Sequence, residues 1–220
     1  KYAFVVDKSQ RLLTVWQGTS QGPQKVTEFP ADVGRNSGEK QARDDRRTPV
    51  GTYFLTDMLE GAGLDYKLYG KRAFTLNYPN LFDQIDGKTG SGIWLHAVPD
   101  DVPLTRGSRG CVVVRNDSIL ALSDFVSIGK TPILIYEKLD LVSEQQMLET
   151  RKKFLQLIES WRAAWSQKRI GDYIQFYSSE FKSQKMDRKA WQKFKADLAK
   201  QYVNIEVKLS EPVAFRHGDR

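Results

Sequence analysis

Among 220 residues the chain has one cysteine, Cys111, and two histidines, His96 and His217. A single cysteine excludes an internal disulfide. One thiol and two imidazoles are also too few nitrogen and sulfur ligands for a zinc centre, which usually gathers three or four, so neither a metal nor a cofactor is expected. No apolar run approaches the roughly 18 residues that cross a bilayer. The densest, Tyr2–Val6 and Pro132–Tyr136, have strand length, and no integral membrane segment is expected. Phosphate-loop glycines are missing too. Gly87-Lys88-Thr89 and Gly129-Lys130-Thr131 look like the end of such a loop, but Phe82 and Asp124 stand where its first glycine belongs. The chain opens at Lys1 without a methionine or an apolar leader, so any export signal is expected to have been removed or left out of this sequence.

Basic residues outnumber acidic ones, 34 to 27, and the excess is uneven. Residues 1 to 140 carry 18 basic and 17 acidic side chains, and residues 141 to 220 carry 16 and 10, so the net +7 divides into +1 and +6. A basic second half suits an anionic polymer or surface. A solvated helix face is the commoner origin of scattered Lys and Arg, and no nucleic-acid signature accompanies the charge.

Up to about residue 138 the pattern is one of short strands. Tyr2–Val6 and Leu12–Gln17 flank the turn-prone Asp7-Lys8-Ser9-Gln10 as a hairpin. Further strands are predicted at Gln24–Phe29, Gly51–Thr56, Ala73–Leu76, Ile93–Val98, Cys111–Val114 and Thr131–Tyr136. One helix starts at Asn116-Asp117, runs through Ile119, Leu122 and Val126, and stops at Gly129. The expected first domain, residues 1–139, is therefore mainly β, a curved and mainly antiparallel sheet with a helix packed on it.

Near residue 140 the period changes. Ser143 and Gln146 form a capping box, followed by Phe154, Ile158, Trp161 and Trp165 at helical spacing. A shorter helix is predicted over Asp172–Tyr177. A third, opened by Asp187, carries Trp191, Phe194, Leu198 and Tyr202 on one face. An alternating strand, Val203–Leu209, follows, and His217-Gly218-Asp219-Arg220 is turn-like, with His217 a surface residue. Such aromatic stripes are most often core. Three helices and one strand cannot close a sheet, so this α+β module, residues 143–220, is expected to be incomplete. Its Trp-x-x-x-Trp opening and Tyr173-Ile174-Gln175-Phe176-Tyr177 segment resemble the start of an NTF2-like cone. NTF2-like cones bind ligands, dimerise or cover a neighbouring domain, and a homodimer through this domain is one arrangement that the resemblance leaves open.

Cys111 and His96, separated by 14 residues, are the minimum parts for acyl transfer by a thiol and a base. Three segments, Arg47-Thr48-Pro49-Val50-Gly51-Thr52-Tyr53, Gly92-Ile93-Trp94-Leu95-His96 and Ser108-Arg109-Gly110-Cys111, resemble in order and spacing the L,D-transpeptidase (YkuD) catalytic domain of bacterial cell-wall enzymes. The resemblance implies a YkuD-like β sandwich, Cys111 as nucleophile, His96 as general base and acid, and the backbone carbonyl of Ala97 as the group that orients the imidazole. Gly110, Arg109, Ser108, Trp94 and Arg115 are the candidate oxyanion and substrate-binding residues. Arg106, Arg109 and Arg115 would lower the thiol pKa if they lie near the sulfur in space.

Arg109 stands where the family usually has a histidine, and Val113 where a polar residue is common. The run Gly110-Cys111-Val112-Val113-Val114 and the NTF2-like extension are similar to proteobacterial L,D-carboxypeptidases that trim wall peptides and influence cell shape. What this implies is hydrolysis of the bond before the D-alanine of a tetrapeptide stem, in the periplasm or cell envelope, with peptidoglycan stem peptides as partner. An amine acceptor in place of water would make the enzyme an L,D-transpeptidase. A wall-binding protein that has lost the chemistry is the rival from another class, and the intact thiol and imidazole argue against it.

Overall fold

The computed structural model describes residues 1–183, 185–210 and 212–215. The chain divides into two compact units, the first spanning Lys1–Leu141 and the second Val142–Phe215. No helix among the described residues is long and apolar enough to cross a membrane.

The first unit is one mixed sheet of eight strands: β1 (Tyr2–Asp7), β2 (Leu12–Thr19), β3 (Gly22–Pro30), β4 (Gly51–Glu60), β5 (Arg72–Leu76), β6 (Trp94–Val98), β7 (Val112–Arg115) and β8 (Pro132–Tyr136). Their order across the sheet is β3-β2-β1-β8-β4-β5-β6-β7. The β1–β8 and β6–β7 pairs are parallel and the other neighbours antiparallel. Alternation explains the core. Phe4 and Val6, Leu13 and Val15, Tyr53 and Leu55, Leu95 and Ala97, Val112 and Val114, and Ile133 and Ile135 all point to one buried cluster, as a period of two requires. Each such aliphatic or aromatic side chain contributes roughly 1.5–3 kcal/mol.

Three helices decorate the sheet: α1 (Tyr66–Tyr69), α2 (Leu81–Ile85) and α3 (Asn116–Ser123). The last buries Ile119 and Leu122 against the core and ends three residues before Val126. The segment between β3 and β4 has no regular structure beyond two isolated bridges, Asp32 to Val113 and Gly34 to Ser108. It is pinned by the buried Lys8, whose Nζ donates to Gly38 O at 2.6 Å and Thr48 O at 3.0 Å and pairs with Glu137 at 2.6 Å.

The second unit holds α4 (Glu144–Ser166), α5 (Ile170–Tyr173) with a 3-10 turn at Ile174–Phe176, a two-residue hairpin of β9 (Lys182–Ser183) and β10 (Met186–Asp187), and α6 (Arg188–Gln201). The Ser143 and Gln146 capping box is present. The aromatic stripe packs on itself, with Trp161 and Trp165 against Tyr173, and Tyr177, Phe181, Trp191 and Phe194 continuing the chain of rings. The strand expected at Val203–Leu209 does not form. No described neighbour supplies a ladder partner, and Val203 is 87% exposed, so its alternation has no sheet to enter. The turn expected at His217–Arg220 lies outside the described residues.

Candidate active site

Strands β6 and β7 bring the thiol and the imidazole to one face. Their parallel register pairs Leu95 with Val112 and His96 with Val113. Because Leu95 and Val112 face the core, alternation turns Trp94, His96 and Cys111 to the opposite face. Tyr69 closes over it, its ring centroid 4.7 Å from that of Trp94 and edge-on to His96 at 5.1 Å. Tyr69 reaches this place because α1 ends at Gly70 (φ 64), where a Cβ would fall 2.6 Å from both Ala97 Cβ and Asn116 Oδ1.

The turn before Cys111 is built by hydrogen bonds. Ser108 Oγ donates to Cys111 O at 2.7 Å and accepts the Gly110 N–H at 3.0 Å. Ser108 is held in turn by Val33 O and by the N–H of Arg35. The buried carboxylate of Asp32 accepts the N–H groups of Gly107 (2.6 Å) and Val33 (2.9 Å) and pairs with Arg11 at 3.0 Å. Gly110 sits at φ +129, and a Cβ there would lie 2.7 Å from Arg47 O. The close approach that glycine permits here is by the protein's own carbonyl. Its N–H is committed to Ser108 Oγ, so Gly110 here serves the turn.

His96 Nδ1 lies 2.6 Å from Ala97 O. A carbonyl can only accept, so Nδ1 carries the proton and Nε2 is left with a lone pair. Burial pulls the His96 pKa down to about 4, with the Ala97 carbonyl opposing and Arg106 adding to the fall. The Cys111 thiol contacts Gly92 O at 3.7 Å. Burial pushes it up to about 11, although the Trp94 backbone N–H and the Lys40 ammonium pull the other way. Of the three arginines that would act on the sulfur if near it, Arg115 Nη1 donates to Val102 O at 2.6 Å, Arg109 is exposed, and Arg106 acts on the imidazole. At neutral pH the site therefore holds a neutral imidazole and a protonated thiol.

Cys111, His96, Ala97, Gly110, Ser108 and Trp94 thus assemble around the β6–β7 edge, whereas Arg115 is turned to the loop that precedes β7. The sequence reasoning missed Tyr69, Asp32 and the Lys40–Asp45 pair (2.7 Å). The density of charge between Glu39 and Arg47 was the one visible signal for the last.

The L,D-transpeptidase catalytic-domain (YkuD) family model matches residues 1–135, and that of the Cds6 C-terminal NTF2-like domain matches residues 153–218. Among solved structures, Bd1075 of Bdellovibrio bacteriovorus is 47% identical with a TM-score of 0.88, over 99% of this chain and 77% of that one. The helical cell shape determining protein Pgp2 of Campylobacter jejuni is 28% identical with a TM-score of 0.76, over 95% of this chain and 72% of that one. A comparison with curated protein sequences finds no match.

Proposed function

The chain belongs to the L,D-transpeptidase catalytic-domain (YkuD) family of peptidoglycan-modifying enzymes, and from that membership we propose that it is an L,D-carboxypeptidase that trims tetrapeptide stems in the cell envelope and contributes to cell shape. The observation that carries the chemistry is the Nδ1 contact with Ala97 O, which leaves Nε2 as the basic atom on the face shared with Cys111.

In this reading Nε2 takes the thiol proton as Sγ attacks the carbonyl between the L-centre of the third-position diamino acid and D-alanine. Backbone N–H groups at Arg109 and Cys111 support the oxyanion. The C–N bond breaks, the imidazolium returns its proton to the leaving amine, and a thioester remains. Water, deprotonated by His96, then releases the tripeptide and restores the thiol. Arg109, exposed beside Cys111, offers a planar fork of donors to a stem-peptide carboxylate. Likeness to the trimming subgroup in the Gly110–Val114 run supports water as the acceptor, and similarity to the helical cell shape determining protein Pgp2 supports a part in cell shape.

The test is chromatography with mass analysis of muropeptides after incubation with purified tetrapeptide monomer. Tripeptide and free D-alanine are expected as the dominant products, and Cys111→Ala should yield neither. Cross-linked 3-3 dimers, or exchange of D-alanine for an added D-amino acid, would make the enzyme a transpeptidase. Sacculus binding with no turnover would make it a wall-binding protein.

A further inference from the structure

We propose that Lys40 is a positioning residue of the Cys111 site: its buried ammonium is the cation that supports negative charge on the sulfur. Lys40 is 3% exposed, a costly place for a charge unless it is paired and hydrogen-bonded. Its Nζ donates to Asp45 Oδ1 at 2.7 Å and Ala42 O at 3.0 Å. The Asp45 carboxylate is engaged elsewhere as well, accepting the N–H groups of Gln41 (2.8 Å), Ala42 (3.1 Å) and Arg47 (3.1 Å). These donors keep the carboxylate ionised and hold it in place beside the ammonium.

The lysine stem packs on the turn that holds the thiol. A Cβ on Gly90 would lie 3.3 Å from Lys40 Cε, and Thr89 N–H donates to Gln41 O at 3.0 Å. Gly92, two residues further, presents the carbonyl that faces Sγ. Lys40 and Cys111 therefore grip the same short turn. The field of Lys40 opposes the burial of the sulfur. Other groups near the site are His96, neutral above about pH 4, Arg106, which acts on that imidazole, and Tyr69; the backbone of Arg43 lies beside Lys40 against Gly90, the Tyr78 ring centroid is 5.9 Å from the Lys40 ammonium, and the carboxylate of Asp32 is taken by Arg11 and Gly107.

The inference rests on Cys111 being the reacting group, but its test needs no substrate. The rate of Cys111 alkylation by iodoacetamide is measured from pH 7 to 9 in the full chain, where lysine carries its charge and the rate follows the thiolate fraction. Lys40→Met should lower the rate about tenfold, the equivalent of about one pH unit in the thiol. Lys40→Arg should restore the rate to within about threefold. Asp45→Asn should raise the rate, because the opposing charge is gone while the Ala42 carbonyl still holds Lys40. A folded Lys40→Met protein that alkylates at the parental rate overturns the proposal. If that variant does not melt cooperatively, Asp45→Asn decides: a raised rate sustains the role, and an unmoved or lowered one overturns it. A changed rate in a protein that releases no tripeptide would reject the proposed peptidase and leave the role of Lys40 intact.

Discussion

At the scale of single residues, burial shifts both groups proposed to react toward their neutral forms. His96 is lowered to about 4 and Cys111 raised to about 11, so in the proposed reaction the proton moves during attack and no ion pair stands ready beforehand. The kcat/KM for tripeptide release should therefore be flat across neutral pH, with an acid limb near 4 and an alkaline limb near 11. An acid limb at the ordinary histidine value of 6.5 would contradict the buried imidazole. The same shift links to stability. Unfolded His96 takes up a proton near 6.5, and the folded form resists until about 4. This contribution is full above 6.5 and declines as pH falls toward 4, by about 3 kcal/mol in all. Urea denaturation at pH 7 and at pH 4.5 checks it, because His96→Gln should lose less stability between the two than the parent does. Equal losses would remove His96 as the cause.

At the scale of elements, the site depends on the parallel β6–β7 register and on the 31–47 segment that braces it. Gly110→Ala places a methyl 2.7 Å from the Arg47 carbonyl at φ +129, where backbone must shift. It should cost about 2–3 kcal/mol in urea denaturation and at least about a hundredfold in turnover. Gly87→Ala, also at positive φ (+71) but with nothing within 4 Å, should cost about 1 kcal/mol and leave turnover alone. Equal effects would show that strain in the dihedral, and not the Arg47 carbonyl, governs the turn. The same elements show what could be read from sequence. All eight strands were legible, some from alternating apolar residues and others, such as β7 and β8, from short continuous apolar runs, because Gly, Pro, Asn and Asp punctuate them. Helices α1 and α2, of four and five residues, are too short to display a 3.6 period. Lys40 and Asp45 lie in a stretch without regular structure, where no period predicts contact with the turn at 89–92. Val203–Leu209 shows the reverse error, a local alternation that tertiary pairing does not support.

At the scale of the whole molecule, charge is divided as sharply as fold. The first 140 residues are nearly neutral and the remainder carries +6, with Lys152 and Lys153 on α4 and Lys189, Lys193 and Lys200 on α6 all exposed. Exposed ammonium groups contribute little to folding, so replacing these five with Gln should leave the melting curve nearly unchanged. What they supply is a field toward an extended anionic polymer, screened beyond roughly 8 Å at physiological ionic strength. The fraction of parent protein that sediments with purified sacculi should therefore fall as salt rises. The five-fold Gln variant should bind weakly at low salt and show a flatter salt dependence, while its turnover on a small soluble tetrapeptide stays at the parental level. Salt-insensitive sedimentation, equal in parent and variant, would assign these lysines to solvation alone. Loss of turnover on the soluble substrate would instead mean that these lysines act on the Cys111 chemistry, which a field directed only at the wall polymer does not allow.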